Sequence, residues 1–219
     1  MTCSNAATRA VVSTLGVLVG IGSLNHGLLE MLQGNRPTPG LIINALGPGY
    51  RWTVWTQGGE GAFTLIPSFL LTGALASLIG VLIIVWSLRS IHTRFGPAVF
   101  LLLGVTSFLV GGGLAQVVLF TLNWAMATRI RASLNLSRRL LPPPLRHVLS
   151  RIWRWTLIAG TVLFLIALEI AVVGYFPGIT DQTRLLHTCW TILLVALGLY
   201  LLSFLSAFAH DVEARNATA

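Results

Sequence analysis

The sequence contains no lysine, only six acidic residues and two cysteines among 219 positions. All fourteen basic residues are therefore arginines, and charged residues make up 9% of the chain against 55% hydrophobic residues. Such a chain cannot hide its apolar surface in one aqueous core, which excludes an ordinary soluble domain and predicts a protein that uses lipid as its solvent. We interpret the net charge of +8 as a determinant of the orientation of the chain in the membrane, and we expect no nucleic-acid partner.

Several catalytic and metal-binding motifs are also missing. Cys3 and Cys189 lie in unlike settings and form no metal-binding motif, which argues against a disulfide and against a cysteine-based metal site. The sequence has no phosphate-binding Gly-x-x-x-x-Gly-Lys loop, no Gly-x-Ser-x-Gly elbow and no His-Glu-x-x-His motif. We therefore predict no cofactor. A haem between His26 and His187, or a carboxylate-bridged metal, remains as an alternative.

Long apolar runs are what the sequence has in abundance. They predict an all-α integral membrane protein, a bundle of about six apolar segments that forms a single membrane domain over residues 1–219. The predicted spans are residues 10–33, 63–88, 97–110, 114–128, 155–176 and 185–209. Between the first two spans, glycine and proline punctuation predicts a non-helical, extracytoplasmic connector at 34–62, whose aromatic residues suit the headgroup region.

The middle segment, residues 96–128, is too long for one crossing. As a single helix it would measure about 50 Å, against a hydrocarbon core of about 30 Å. Gly111-Gly112-Gly113 at its centre predicts a break, and so either a re-entrant hairpin or two short spans. Folding back places eleven of the fourteen arginines on one side of the membrane. The positive-inside rule then predicts a multi-pass protein of the plasma (inner) membrane with both termini cytoplasmic.

The cytoplasmic loop predicted at residues 129–154 carries seven of the fourteen arginines. After the three prolines at 142–144, apolar residues recur at helical spacing between arginines. That pattern is typical of a helix that lies in the membrane surface and is attracted to anionic lipid. We therefore expect lipid or partner contacts from five residues of this loop: Arg138, Arg139, Arg146, Arg151 and Arg154.

A stripe of small and polar residues marks the first span. Five residues fall on one narrow face of the predicted helix, and His26 lies at its edge: Gly16, Gly20, Ser23, Gly27 and Glu30. Small residues allow another helix to approach closely, and a carboxylate among them should face protein or trapped water rather than lipid.

Polar residues of three other segments fall at a similar depth, in the outer half of the bilayer. With the predicted topology the set is His26, Glu30, Gln116, Glu169 and His187. Burying such groups separately would cost several kcal/mol, so pairing around a wet cavity is more favourable. A purely structural role is the alternative, with Gln116 in a contact between helices and His187 at a solvated helix end. Glu169 has no local partner in the sequence, which favours a partner on another helix.

Three functional hypotheses follow. The first is transport or conduction of protons, ions or a small polar solute through the polar set. The second is an accessory subunit of a larger membrane complex, which the small-residue stripes and the small extramembrane part would suit. The third is an intramembrane redox or metal enzyme. Transport is favoured, because a docking subunit has little need for two carboxylates at membrane depth. Expected partners are membrane lipids, including anionic lipids, and a second copy of the chain or other membrane subunits.

Overall fold

The computed structural model describes residues 5–47, 61–132 and 141–217, which form six helices and two short strands. The helices are α1 (Ala6–Leu32), α2 (Phe69–Arg89), α3 (Gly96–Leu109), α4 (Gln116–Ala127), α5 (Pro143–Val173) and α6 (Gln182–Ala217). The strands are β1 (Ile42–Asn44) and β2 (Gly61–Phe63). The predicted fold class, an all-α membrane protein with about six apolar segments, is confirmed.

Four of the helices are long and apolar enough to span a membrane, namely α1, α2, α5 and α6, whereas α3 and α4 are shorter apolar helices. Each overlaps one of the six predicted spans. The type of membrane, the number of crossings and the side on which the termini lie stay predictions.

The chain divides into two compact units. Unit 1 comprises Met1–Val11 with Arg129–Ala219, and unit 2 comprises Val12–Thr128. The start of α1, together with α5 and α6, thus belongs to unit 1, while the rest of α1, both strands and the helices α2 to α4 belong to unit 2. That the two units act as one membrane domain stays a prediction.

In unit 2, glycines hold α1 and α2 against each other. A side-chain carbon on Gly20 would lie 2.7 Å from the carbonyl oxygen of Gly80, and one on Gly73 would lie 2.7 Å from the amide nitrogen of Met31. Gly27 has equally little room against Gly73. The small-residue stripe of α1 is therefore used inside the chain, where it allows α2 to approach closely.

The glycine break predicted in the middle of the chain is confirmed, and it separates two short helices. The backbone turns at Gly111 and Gly113, whose φ angles of 100° and 91° favour glycine. Phe120 of α4 returns to α3, where its ring stacks on Phe100 with the centroids 5.1 Å apart. Gly104 leaves the room that the Phe120 ring occupies, so α3 and α4 pack side by side.

A small antiparallel sheet covers this turn. β1 pairs with β2, and Ile42 lies opposite Phe63. On its other side, β2 accepts hydrogen bonds from the turn: Gly111 N donates to Phe63 O at 2.9 Å, and Leu114 N to Gly61 O at 3.0 Å. The second span was predicted to begin at residue 63, whereas helix α2 begins at Phe69, because the chain is still extended at Phe63, where it pairs with β1. The predicted connector is non-helical where it is described, and its residues 48–60 lie outside the described ranges.

In unit 1, α5 and α6 form an antiparallel pair. Ser203 donates a hydrogen bond to Thr156 at 2.9 Å, and the ring of Tyr200 lies against Gly160. α5 is a single helix from Pro143, so the basic segment predicted as a separate surface helix is continuous with the fifth span. The reason is local: Pro143 and Pro144 lie in the first turn, where proline is tolerated, and no further proline follows before the helix ends at Val173.

The last helix is longer than the predicted span, because its polar end has a structural partner. Asp211 of α6 caps the first turn of α1. Its Oδ1 accepts a hydrogen bond from Ala7 N at 3.0 Å, and its Oδ2 accepts bonds from Thr8 N at 2.9 Å and from Thr8 Oγ1 at 2.7 Å. A carboxylate at this position satisfies amide groups that have no partner within their own helix.

Candidate functional site

The candidate site begins with a polar face on the second half of α1. Ser23, His26 and Glu30 follow one another at intervals of three and four residues, so they lie on one side of the helix. Their exposed fractions are 0%, 4% and 0%, which is unusual for a histidine and a glutamate. This face lies within unit 2.

The glycine turn between α3 and α4 meets this face. A side-chain carbon on Gly111 would lie 2.5 Å from Glu30 Oε2 and 2.7 Å from Oε1, and one on Gly113 would lie 2.7 Å from His26 Nε2. Gly112 in turn leaves room for the hydroxyl of Ser107. Each of the three glycines therefore accommodates a different polar side chain, and any larger residue would displace it.

Glu30 is the most unusual group of the site. Both of its carboxyl oxygens are buried, and neither has a hydrogen-bond partner in the described part of the chain. A bare carboxylate in such surroundings would cost several kcal/mol, so a proton or a cation has to accompany it.

Ser23, about two helical turns before Glu30 on α1, contacts a serine of α3. The hydroxyls of Ser23 and Ser107 are 2.8 Å apart, and Ser23 also lies 3.1 Å from the carbonyl oxygen of Ala76. This contact joins α1 to α3 and α2, which fixes the position of the polar face against the hairpin.

Gln116 also belongs to unit 2, as the first residue of α4. Its carboxamide lies over Gly22 of α1, and its Nε2 is buried without a hydrogen-bond partner among the residues that are described. A cavity of about 250 Å³ adjoins it, lined mainly by apolar side chains together with Ser107, Gly113 and Gln116. The structure thus brings together three of the five predicted residues, His26, Glu30 and Gln116, around one turn.

Two buried threonines support the turn and were missed by sequence reasoning. The hydroxyls of Thr64 and Thr72 are 2.6 Å apart, and Thr72 donates to the carbonyl oxygen of Val110 at 2.7 Å. Both side chains are essentially inaccessible. A threonine at a helix start gives no signal for such a contact, because its partner lies 38 residues further along the chain.

Glu169 and His187, the other two predicted residues, belong to unit 1 and are exposed. The thiol of Cys189 contacts the carbonyl oxygen of Ala167 at 3.4 Å. Because Glu169 and His187 each lie two residues from this contact, they are at about the same level of the α5–α6 pair. Helix α5 ends at Val173 rather than at 176, so Glu169 lies about one turn, roughly 6 Å, from its end. Its carboxylate makes no hydrogen bond or ion pair to any described residue.

The arginines of the predicted basic loop differ in their surroundings. Arg138 and Arg139 lie outside the described residues. Arg146 forms an ion pair with Glu213 of α6, so its charge is matched within the chain. Arg151 and Arg154 are exposed on α5, and their contact with lipid or a partner stays a prediction.

Metal-binding side chains do not cluster in the parts of the chain that are described, since no three His, Cys, Asp or Glu residues there are placed to hold an ion. His26 and His187, the pair considered for a haem, belong to different units.

No protein-family model, curated protein or solved structure matches this chain. The functional conclusion therefore rests on the residues themselves.

Proposed function

We propose that this protein transports or conducts protons or another small cation across a membrane, and that Glu30 is the group that binds the proton or cation. The observation that carries the proposal is the environment of Glu30. Its carboxyl group is fully buried, and neither oxygen has a hydrogen-bond donor in the described ranges. A carboxyl group placed for structural reasons would be matched by donors, whereas one that exchanges its proton or cation needs to be left without them.

The neighbours of Glu30 support the same proposal. His26 lies one helical turn before it on α1 and reaches the same glycine turn. A histidine beside a carboxyl group inside a membrane is a typical element of a proton relay. The Ser23–Ser107 hydroxyl pair and Gln116 continue the polar surface towards the cavity of about 250 Å³.

The test is a flux measurement on protein reconstituted into liposomes. Proton entry is followed with a trapped pH-sensitive dye under a potassium diffusion potential, and sodium and potassium entry with ion-selective dyes. We expect Glu30→Gln to reduce the flux at least about tenfold, a loss typical of removing an essential proton-transfer group. Glu213→Gln is the matched control, because it makes the same chemical change at a half-buried residue of unit 1.

Flux through Glu30→Gln at the level of the unaltered protein would refute the proposal, as would liposomes that are no more permeable to any of these ions than empty ones. Glu169→Gln, measured in parallel, reports whether the exposed carboxylate of unit 1 takes part.

A second candidate function, an accessory subunit of a larger membrane complex, is favoured by Glu169 alone. This carboxylate is exposed on an apolar helix, where an ionisable group is expected to face protein or water rather than lipid. Purification in a mild detergent followed by mass spectrometry tests this candidate. A stoichiometric membrane partner that is lost in Glu169→Gln but kept in Glu30→Gln would favour it, and a chain that purifies alone would exclude it.

A further inference from the structure

A groove of about 810 Å³ lies between the first part of α5 and the end of α6, within unit 1. We propose that this groove binds the phosphate-bearing headgroup of an anionic phospholipid. The inference is independent of the proposed transport function, because none of its residues belongs to the site around Glu30.

The α5 side of the groove is a basic stripe. His147, Arg151 and Arg154 line it at intervals of four and three residues, so they lie on one face of the helix. Both arginines are exposed. The guanidinium carbon of Arg154 lies 5.3 Å from the centre of the Trp153 ring, a cation–π contact that limits the orientations of this side chain.

The α6 side contributes a fixed histidine and a neutralised acid. His210 Nδ1 lies 3.1 Å from the carbonyl oxygen of Ser150. Since a carbonyl only accepts, Nδ1 carries the hydrogen and the ring is held in place. Glu213 is the acidic residue of the lining, and its charge is matched by Arg146. The two arginines are therefore left to give the groove a positive field.

The apolar part of the lining favours a lipid over a soluble phosphate. Trp155 and Ile158 follow the arginines on α5 and are 72% and 54% exposed. They lie where the apolar part of a membrane-spanning helix begins, so the arginines sit at headgroup depth and these side chains at the depth of the acyl chains. A phospholipid matches this order, with its phosphate on two planar guanidinium groups and its chains along Trp155 and Ile158.

The test is lipid retention by the full-length protein. After extraction from membranes of phosphatidylglycerol and phosphatidylcholine and purification in a mild detergent, bound lipids are quantified by mass spectrometry. We expect phosphatidylglycerol to be enriched over phosphatidylcholine. We also expect weaker retention by about fivefold for Arg151→Gln and by about twenty-fivefold for Arg151→Gln with Arg154→Gln, at roughly one factor of five per arginine.

The matched control is Arg89→Gln with Arg94→Gln, which removes two exposed arginines of unit 2 that were predicted to lie on the same side of the membrane. Equal loss of lipid in both double variants would overturn the proposal, because general charge would then explain the binding. No enrichment of phosphatidylglycerol in the unaltered protein would overturn it too.

Thermal unfolding distinguishes binding of the whole phospholipid from binding of a free phosphate. Added phosphatidylglycerol should raise the melting temperature of the unaltered protein and of the Arg89/Arg94 variant, whereas inorganic phosphate at the same concentration should not. Stabilisation by phosphate alone would replace the lipid by a soluble anion and refute the proposal.

If the Gln double variant does not fold, Arg151→Lys with Arg154→Lys keeps the charge and should still retain less phosphatidylglycerol than the unaltered protein, since lysine cannot form the planar, two-pronged contact. Unchanged retention by this variant would contradict the proposal.

Discussion

Two buried carboxyl groups of this protein have opposite surroundings. Asp211 accepts three hydrogen bonds, two from backbone amides and one from a hydroxyl, at the start of α1. Glu30, near the end of the same helix, accepts none from the described residues and lies against Gly111 of the glycine turn. Both are nearly inaccessible, with exposed fractions of 5% and 0%.

The difference separates a structural carboxylate from a functional one. Donors aimed at Asp211 stabilise its charge permanently, so removing that charge should weaken the fold. Glu30 lacks such donors, so its negative charge does not stabilise the fold. Removing that charge should therefore lower activity rather than stability. Four substitutions examine this distinction, here in order of their expected effect on stability.

Asp211→Asn should be the most destabilising of the four. The new amide group meets amide and hydroxyl hydrogens that need an acceptor, and the loss of hydrogen bonds to a charged group should cost about 3 kcal/mol. Denaturant unfolding in detergent measures the change, and Glu213→Gln in the same helix serves as the control. A variant as stable as the unaltered protein would show that the cap contributes nothing.

Gly111→Ala should cost about 2 kcal/mol, because its positive φ is strained for alanine and its methyl group would collide with the Glu30 carboxyl. Gly34→Ala is the matched control, since Gly34 also has a positive φ, of 82°, but no atom lies within 4 Å of the added carbon there. The contact with Glu30 is tested by a double-mutant cycle with Glu30→Ala. Strictly additive unfolding free energies would mean that strain alone, and not the carboxyl group, explains the loss.

Ser107→Ala should cost about 1 kcal/mol, the value of one buried hydrogen bond. The hydroxyl of Ser23 would lose the partner that lies 2.8 Å away and keep its hydrogen bond to the carbonyl oxygen of Ala76. The loss should appear in the unfolding free energy, and Ser23→Ala combined with Ser107→Ala should be hardly less stable than Ser23→Ala alone. A double variant with the sum of both losses would contradict the pairing.

Glu30→Gln should change stability by less than about 0.5 kcal/mol while it reduces ion flux at least about tenfold, since an amide has nearly the shape of the carboxyl group and no donor is lost. Unfolding and flux are measured on the same preparation. A loss of stability as large as that of Asp211→Asn would place Glu30 among the structural carboxylates.

The helices were largely predictable from the sequence, because apolar length and glycine breaks are local signals. Gly111-Gly112-Gly113 marked the turn between α3 and α4 to within a few residues. The sheet was not predictable, since β2 consists of three residues whose partners are Ile42–Asn44 on one side and the glycine turn on the other. Neither partner is close in sequence. Gly61–Phe63 alone carries no strand signal, because it directly precedes the apolar run that predicts the second span.

The candidate site was predictable in its residue types but only partly in its contacts. Burial of His26 and Glu30 followed from their positions among small residues on one helix face. Their contacts with Gly113 and Gly111 did not, because a run of glycines indicates a break but not which side chains fill the space. The cap by Asp211 was missed for a similar reason, since a polar helix end without a local partner looks like a solvated tail.

The cap on α1 has a consequence for biosynthesis. Asp211 lies 204 residues after Ala7, so at about 5 to 20 residues per second a ribosome needs roughly 10 to 40 s to supply it. During that interval the amides at the start of α1 must find other acceptors, such as water. The first turn of this helix is therefore completed only after Asp211 has been translated.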